Sequence, residues 1–187
     1  MGKVFLDMTV SLDGLVTGPD GDLSRLHDWL FTQSGDPRNA AALGAFFEAG
    51  ACVAGHETFR TGEEPWGPEP PFPMPVFVLA SRPRERLVKG QSTFTFVSDG
   101  IESAIRQARE AADGKDVAVM GGAATARAAL AAGLLDELRL HHAPVVLGAG
   151  TPLFVPGTLE RIELEELERT DGAGVVHVRY RVAGKAD

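Results

Sequence analysis

The chain has 187 residues, with 26 acidic and 18 basic side chains, a formal net charge of -8 and a pI near 5.1. Nucleic acid is excluded as a main partner, because phosphate backbones are bound by clustered Lys and Arg, and the sequence has no such cluster. No apolar run approaches the roughly 18 residues of a membrane span, so we expect no membrane partner.

The first residues do not form a signal peptide, because Asp7 interrupts the apolar run too early. We therefore expect a cytoplasmic protein. The length suits one domain over residues 1–187 with a substantial core. Cys52 is the only cysteine, which excludes an internal disulfide. Its apolar neighbours favour a buried strand residue over a nucleophile.

The first third of the chain predicts a central strand over 3–10, because its apolar run is too continuous for a sheet with one wet face. This strand continues through a glycine bend to residue 17, and residues 18–22 form a turn or loop. Helical spacing predicts helices over 23–31 and 38–48. A second strand over 51–54 leads directly into the sequence GHETF at 55–59.

Six prolines between Glu63 and Pro75 predict a stiff surface loop. Strands are expected over 76–80 and 93–97. Asp99 and Glu102 have the spacing of a capping box, which would begin a helix that ends near Gly114. A further strand, 117–120, meets Gly121 and Gly122 and passes into an alanine-rich helix that ends at Gly133.

The C-terminal part predicts a strand over 136–143, a glycine-rich return loop over 144–150, and a hairpin of strands 160–167 and 175–182 around residues 170–174. Strands and helices alternate through most of the chain. The predicted fold is therefore α/β, with a mostly parallel central sheet, flanking helices and an antiparallel C-terminal hairpin.

The two adjacent glycines at the end of the 117–120 strand predict a possible anion site. Without a Cβ, Gly121 and Gly122 let a ligand approach the backbone, and the amides at the start of the next helix have no intrahelical partner. A nucleotide phosphate is the usual occupant of such a site. A purely structural turn explains a glycine pair about as well, and the GxGxxG dinucleotide fingerprint is absent.

Three other strand exits favour the nucleotide interpretation. In a largely parallel sheet, ligands bind at the carboxyl ends of the strands. Those ends carry Asp13-Gly14, Gly55-His56, Ser81-Arg82 and Gly121-Gly122.

Taken in order, these junctions resemble the dihydrofolate reductase-like family. The resemblance is closest to small stand-alone proteins that are similar to the C-terminal reductase domain of the bacterial bifunctional deaminase-reductase of riboflavin biosynthesis. It is carried by SLDG at 11–14 with GPDGD at 18–22, GHETF at 55–59, SR at 81–82, VMGGA at 119–123 and DELRLHHAPVVLGAGTPLF at 136–154.

The resemblance implies NADPH as the cofactor and hydride donor. The pyrophosphate would be bound at the glycine pair, with help from the GHETF helix start, and the adenosine 2'-phosphate near Ser81 and Arg82. The cofactor-binding candidates are Gly55, His56, Thr58, Ser81, Arg82, Gly121, Gly122, Ala123 and Thr125. The family often has Arg where this chain has His56, which leaves Arg82 to discriminate between NADPH and NADH.

A reductase also needs a proton donor, and the catalytic candidates are Asp13 and Asp28. Asp28 lies near the position where dihydrofolate reductases place an acidic residue, although a surface carboxylate is the more usual explanation. Asp13 is as readily explained by a turn that bonds its own backbone. The substrate-binding candidates are Asp13, Thr17 and Trp66, with Trp66 as a lid from the proline-rich loop. Trp29, Phe46 and Phe47 could line the pocket, but the core is their more usual place.

No metal site is expected. His141 and His142 are neighbours on a strand, so their side chains face opposite ways, and one of them should be exposed to water and the other packed or hydrogen-bonded. The glutamates between 160 and 168 fit a solvated strand edge.

The sequence thus predicts an NADPH-dependent reductase of a small heterocyclic substrate, either dihydrofolate-like or ribosylaminopyrimidine-like. The alternative is a nucleotide-binding protein of the same fold without significant catalysis. A homodimer is expected, since the resembled family often pairs and the apolar C-terminal loop and strands offer a surface.

Overall fold

The computed structural model describes residues 2–183. Its strands are β1 (Val4–Val10), β2 (Leu15–Thr17), β3 (Ala51–Gly55), β4 (Val76–Leu79), β5 (Leu87–Lys89), β6 (Ser92–Val97), β7 (Val117–Val119), β8 (Glu137–His142), β9 (Thr151–Pro152), β10 (Leu164–Gly172) and β11 (Val175–Val182). Its α-helices are α1 (Asp28–Thr32), α2 (Pro37–Phe47), α3 (His56–Gly62), α4 (Ile101–Ala111) and α5 (Ala123–Ala131).

Nine of the strands form one sheet in the order β10-β11-β8-β1-β7-β3-β4-β6-β5. The six strands from β8 to β6 run parallel to one another, while β5, β11 and β10 are antiparallel to their neighbours. β1 lies inside the sheet, and the hairpin of β10 and β11 forms one edge. The predicted fold class is confirmed.

Helices cover both faces of the sheet and enclose two apolar layers. Alternate residues of each strand point to opposite faces, so Leu6 of β1 packs under α4 and α5, whereas Phe5 lies in the layer beneath α2 and α3. Cys52 is fully buried in the second layer, and burial raises the pKa of its thiol. The prediction that Cys52 is a core residue is confirmed.

The predicted capping box is wrong. Gly100, with φ of 97°, is the N-cap of α4, and no side chain caps this helix. A positive φ is readily adopted by glycine, so the chain turns into the helix one residue later than Asp99 would require.

The bounds of several other elements also differ from those predicted from the sequence. Of the helix predicted over 23–31, only α1 is helical, and it begins at Asp28. β10 begins four residues later than predicted and the hairpin turns near Gly174, because the ladder with β11, and not a buried face, sets the position of this exposed strand. β5 and the pairing of β2 with β9 were not predicted.

No helix among residues 2–183 is both long enough and apolar enough to cross a bilayer.

Candidate active site at the carboxyl edge

Four of the predicted junctions meet at one edge of the sheet. β1, β7, β3 and β4 are adjacent and parallel, so their carboxyl ends lie side by side. We call this the carboxyl edge. It carries Asp13-Gly14, Gly121-Gly122, Gly55-His56 and Ser81-Arg82 in that spatial order, as the sequence predicted.

The two central junctions are in direct contact. The Gly55 amide donates to the Gly121 carbonyl at 2.6 Å. A Cβ on Gly55 would lie 2.6 Å from Thr125 Oγ1 and 3.0 Å from the Gly122 nitrogen. Only glycine therefore fits at position 55 without displacing α5. The Gly121–Gly122 peptide bond is cis, and Gly121 has a φ of 92°.

The start of α5 forms the floor of this junction. Gly122 is its N-cap and provides no side-chain capping bond, so the first amides of the helix are left for another acceptor. Thr125 is buried, while Thr58 is half-buried, with its Oγ1 3.4 Å from the Cβ position of Gly122. One hydroxyl group therefore lies at each of the two glycine junctions, Thr125 at Gly55 and Thr58 at Gly122.

Ser81 and Arg82 lie one strand further along the carboxyl edge, after β4, and both are exposed. Within residues 2–183 the Arg82 guanidinium has no hydrogen bond or salt bridge. His56 is also exposed, at the first position of α3. A free guanidinium at the same edge of the sheet as the glycine junctions is suited to a phosphate group.

The Asp13 carboxylate is hydrogen-bonded by residues of the loops beside it. It accepts hydrogen bonds from Ser11 Oγ at 2.7 Å, from the Leu147 amide at 3.1 Å and from the Gly148 amide at 2.8 Å. The Ser11 bond, followed by the two amide bonds, lowers the pKa of Asp13 to about 2. These contacts support a loop anchor and argue against a proton donor. Thr17 lies nearby in β2, paired with Thr151 of β9.

The structure also argues against the roles predicted for Asp28 and Trp66. The Asp28 carboxylate is half exposed and pairs with Arg25 at 3.4 Å, as expected of a surface carboxylate. Trp66 stacks on Phe94, whose register partner is Val76 at the start of β4. Trp66 therefore packs near the amino ends of the strands and does not cover the carboxyl edge.

The sequence analysis missed a buried polar chain below the carboxyl edge. It links Asp7 in β1, His141 in β8, His177 in β11 and Asn39 in α2. Trp29 lies against it, with both imidazole centroids 5.0 Å from its ring, and donates to Thr9. The available signal was a carboxylate within an apolar central strand.

Two predictions for residues near this buried polar chain are confirmed. Trp29 and Phe46 are buried core residues. His141 is buried and hydrogen-bonded, while its neighbour His142 faces the other side of the sheet and is half-buried.

A surface cavity of about 540 Å³ lies elsewhere, at the amino ends of β1 and β8. It is bordered by Lys3, Arg109, Asp136 and Glu137, which neutralise one another in the Lys3–Glu137 and Arg109–Asp136 pairs. Because these charges are already paired and none of the glycine junctions is present there, the carboxyl edge is the stronger candidate site. Among residues 2–183, no group of three or more His, Cys, Asp and Glu side chains could hold a metal ion.

Comparisons with known proteins identify the family of the chain. The RibD C-terminal domain family matches residues 2–176. The Bacillus subtilis protein YyaP is 30% identical, with 97% of this chain and 96% of YyaP covered.

Solved structures share the fold. A putative riboflavin biosynthesis protein from Shewanella sp. PV-4 superposes with a TM-score of 0.75 at 22% identity, covering 97% of this chain and 99% of that one. The Thermotoga maritima diaminohydroxyphosphoribosylaminopyrimidine deaminase/5-amino-6-(5-phosphoribosylamino)uracil reductase has a TM-score of 0.70 at 13% identity, over 97% of this chain and 57% of that one.

Proposed function

The chain belongs to the RibD C-terminal domain family, and we propose that it is an NADPH-dependent reductase of a small heterocyclic substrate. The family and the structural neighbours indicate a pyrimidine reductase-like oxidoreductase. The finer assignment of cofactor and substrate is our proposal. It is carried by one observation, the contact between the Gly55 and Gly121 junctions at the carboxyl edge.

The residues at this edge fit a dinucleotide phosphate. The glycine junction has no side chain where a ligand would approach, the α5 amides are uncapped, and Thr58 and Thr125 provide hydroxyl groups. In our proposal, Gly121, Gly122, Ala123 and the two threonines hold the pyrophosphate. Arg82, with support from Ser81, binds the 2'-phosphate that distinguishes NADPH from NADH.

When bound, NADPH supplies the hydride, and the protein positions the substrate and provides the proton. Two substrates remain from the sequence analysis, dihydrofolate and a ribosylaminopyrimidine. The Asp28 salt bridge removes the main argument for dihydrofolate, which would need an acidic pocket residue at that position. We therefore place 5-amino-6-(5-phosphoribosylamino)uracil-like compounds first.

Fluorescence titration with NADPH and NADH tests the cofactor. We expect NADPH to bind more tightly than NADH, and Arg82→Ala to weaken NADPH binding by about 10- to 100-fold while leaving NADH binding unchanged, since a hydrogen bond to a charged group contributes about 1.5–3 kcal/mol.

Arg86→Ala is the matched control. Arg86 is exposed on the same loop, and its removal changes the net charge equally. Equal losses in the two variants would indicate a general charge effect, and absence of binding to the wild type would refute the proposal. Tight NADPH binding without oxidation across both substrates would favour the non-catalytic alternative.

We further propose that the protein forms a homodimer. Leu12, Val146 and Phe154 are exposed apolar side chains on the loops around β2 and β9, and the Leu12 amide bonds to the carbonyl of Val145. Paired copies would remove this apolar surface from water. Light scattering tests the proposal, and a monomer at micromolar concentration would refute it.

A further inference from the structure

Three hydrogen bonds cross the core from β1 to α2. Asp7 Oδ1 lies 3.0 Å from His141 Nε2. His141 Nδ1 lies 2.7 Å from His177 Nδ1, and His177 Nε2 lies 3.0 Å from Asn39 Oδ1. Both histidines are buried, so no water replaces these bonds easily.

The groups at the two ends of this hydrogen-bonded chain are hydrogen-bond acceptors. The Asn39 amide nitrogen donates to the carbonyls of Gln33 and Ala173 at 3.0 and 3.1 Å, so its oxygen must be the atom that faces His177. The other end is the Asp7 carboxyl, which in its ionised form can only accept.

Counting hydrogens gives the protonation of the whole chain. Three bonds require three hydrogens, and two neutral imidazoles supply one each. The third must be an additional proton, on Asp7, His141 or His177. This hydrogen-bonded chain of side chains therefore holds one proton more than an ionised Asp7 and two neutral histidines would carry.

The environment favours one end of the chain for this proton. Burial, together with the charge of His141, lowers the pKa of His177 to about 4, so His177 is neutral at neutral pH. Asn39 then fixes its hydrogen on Nε2, its Nδ1 accepts from His141, and the additional proton lies between His141 and Asp7.

The Asp7 end of the chain adjoins the candidate site. Leu6 pairs with Val119, which places Asp7 level with Met120, directly before the glycine pair. The side chain of the next residue, Met8, points to the opposite face of the sheet and contacts Gly121 from there, so only the register of β1 with β7 places Asp7 beside the glycine pair. Asp7 Oδ2 is buried and has no hydrogen-bond partner within residues 2–183, although the side chain as a whole is 14% exposed, so a substrate must come into direct contact with a buried oxygen.

We propose that the Asp7–His141 pair stores the proton for the reduction and that Asp7 donates it to the substrate, with the proton passing from the Oδ1–Nε2 bond to Asp7 Oδ2, the oxygen without a partner. This proposal rests on the proposed function. A C=N or C=O bond of the substrate gains a hydride at carbon, supplied by NADPH with formation of NADP⁺, and a proton at nitrogen or oxygen, supplied by Asp7. The pair is left as a carboxylate and a neutral imidazole, and a proton from water restores it.

The charged and titratable groups around the pair come from several elements. His177 of β11 and Asp7 of β1 bond His141 directly, and His27 before α1 and His142 of β8 act on His141 through space. Cys52 of β3 interacts with Asp7, and Arg139 of β8 is the register partner of Asp7. Asp36, before α2, acts on His177. Burial and then the His141 charge lower the pKa of His27, so this neighbour is neutral.

Proton storage is tested without any substrate. Nitrogen NMR of the imidazole rings at neutral pH should show a hydrogen on His177 Nε2. It should also show either both nitrogens of His141 protonated, or His141 protonated at Nδ1 with the Asp7 carboxyl protonated. An ionised Asp7 with two neutral imidazoles would overturn the proposal.

Proton donation is tested by single-turnover NADPH oxidation over a range of pH. Asp7→Asn should slow the step by about 10²-fold or more, with NADPH affinity unchanged, because general acids contribute about 10²–10⁴-fold. Glu110→Gln is the matched control: it neutralises an exposed carboxylate of α4, on the opposite face of the sheet, and should leave the rate unchanged.

His177→Phe is a second variant in case Asp7→Asn does not fold. It keeps Asp7 but removes the need for the third hydrogen, so His141 should become neutral and the rate maximum should move to lower pH. An active wild type with an unaltered Asp7→Asn rate overturns the inference alone. A wild type that oxidises no NADPH refutes the proposed function, and the donor role with it, while the NMR result still decides proton storage.

Discussion

Gly55→Ala should destabilise the protein because of a steric clash at the carboxyl edge. Gly55 has φ of -76° and ψ of 154°, which alanine adopts freely, so backbone strain is not the reason. The added Cβ would lie 2.6 Å from Thr125 Oγ1. Thr125 is a short, buried side chain at the start of α5, and it cannot swing away without moving the helix.

The magnitude follows from two opposing terms. Overpacking of a core contact destabilises by about 1–3 kcal/mol, and replacement of glycine by alanine restores about 0.4–1 kcal/mol by restricting the unfolded chain. The net loss should be about 1–2 kcal/mol. In a domain of this size it corresponds to a fall in Tm of about 2–8 °C.

Urea unfolding of a double-mutant cycle isolates the clash. In a Thr125→Ala background, where Oγ1 is absent, Gly55→Ala should lose most of its effect, with a coupling energy of about 1–2 kcal/mol. Gly44→Ala in α2 is the control, because a Cβ there meets no atom within 4 Å, and it should stabilise by about 0.5–1 kcal/mol. Additive effects of Gly55→Ala and Thr125→Ala would refute the close contact between the two junctions.

Two further predictions concern acid stability and the loop beside the site. Burial would raise the pKa of Glu137, but the Lys3 hydrogen bond and the Arg179 and Arg139 charges outweigh it and lower the pKa overall. Its stabilisation is therefore complete above the usual Glu value of about 4.3 and is lost as the pH falls through the lower folded-state pKa. Glu137→Gln should lose about 1–3 kcal/mol at neutral pH and flatten the acid limb of a urea-unfolding series, and an unchanged acid limb would contradict this. Asp13→Asn should accelerate hydrogen exchange of the Leu147 and Gly148 amides, since it weakens the acceptor of both, and unchanged exchange would exclude Asp13 as the anchor of that loop.

The sequence was sufficient to predict the central sheet and to predict that the glycine junctions after its strands lie at one edge. Continuous apolar runs such as Val4–Val10 identify buried parallel strands, and the rule for the carboxyl ends of parallel strands then brings Gly55 and Gly121 to one edge. Short and exposed elements were not predictable, because β5, β9 and the start of β10 are set by the strands they pair with and carry little periodicity of their own.

The acidic candidates were harder to rank from the sequence, because protonation depends on neighbours that are distant in the chain. Asp13 meets the amides of residues 134 and 135 positions away, and Asp7 meets His141 across 134 positions. Both carboxylates look alike in sequence, one in a glycine turn and one in a strand. Their environments separate them, since one accepts three hydrogen bonds near the surface and the other belongs to a buried chain.

A proton donor must hold a proton at neutral pH and still present it to a substrate. Asp13 fails the first condition, because its three donors lower its pKa to about 2. Asp28 is a half-exposed carboxylate that pairs with Arg25 at the protein surface. Asp7 meets the first condition, because its hydrogen-bonded chain lacks one hydrogen unless it retains an additional proton. Its second oxygen is buried and has no partner among residues 2–183, so it is left to bond a group of the substrate. The acid of this site is therefore best sought inside the central strand.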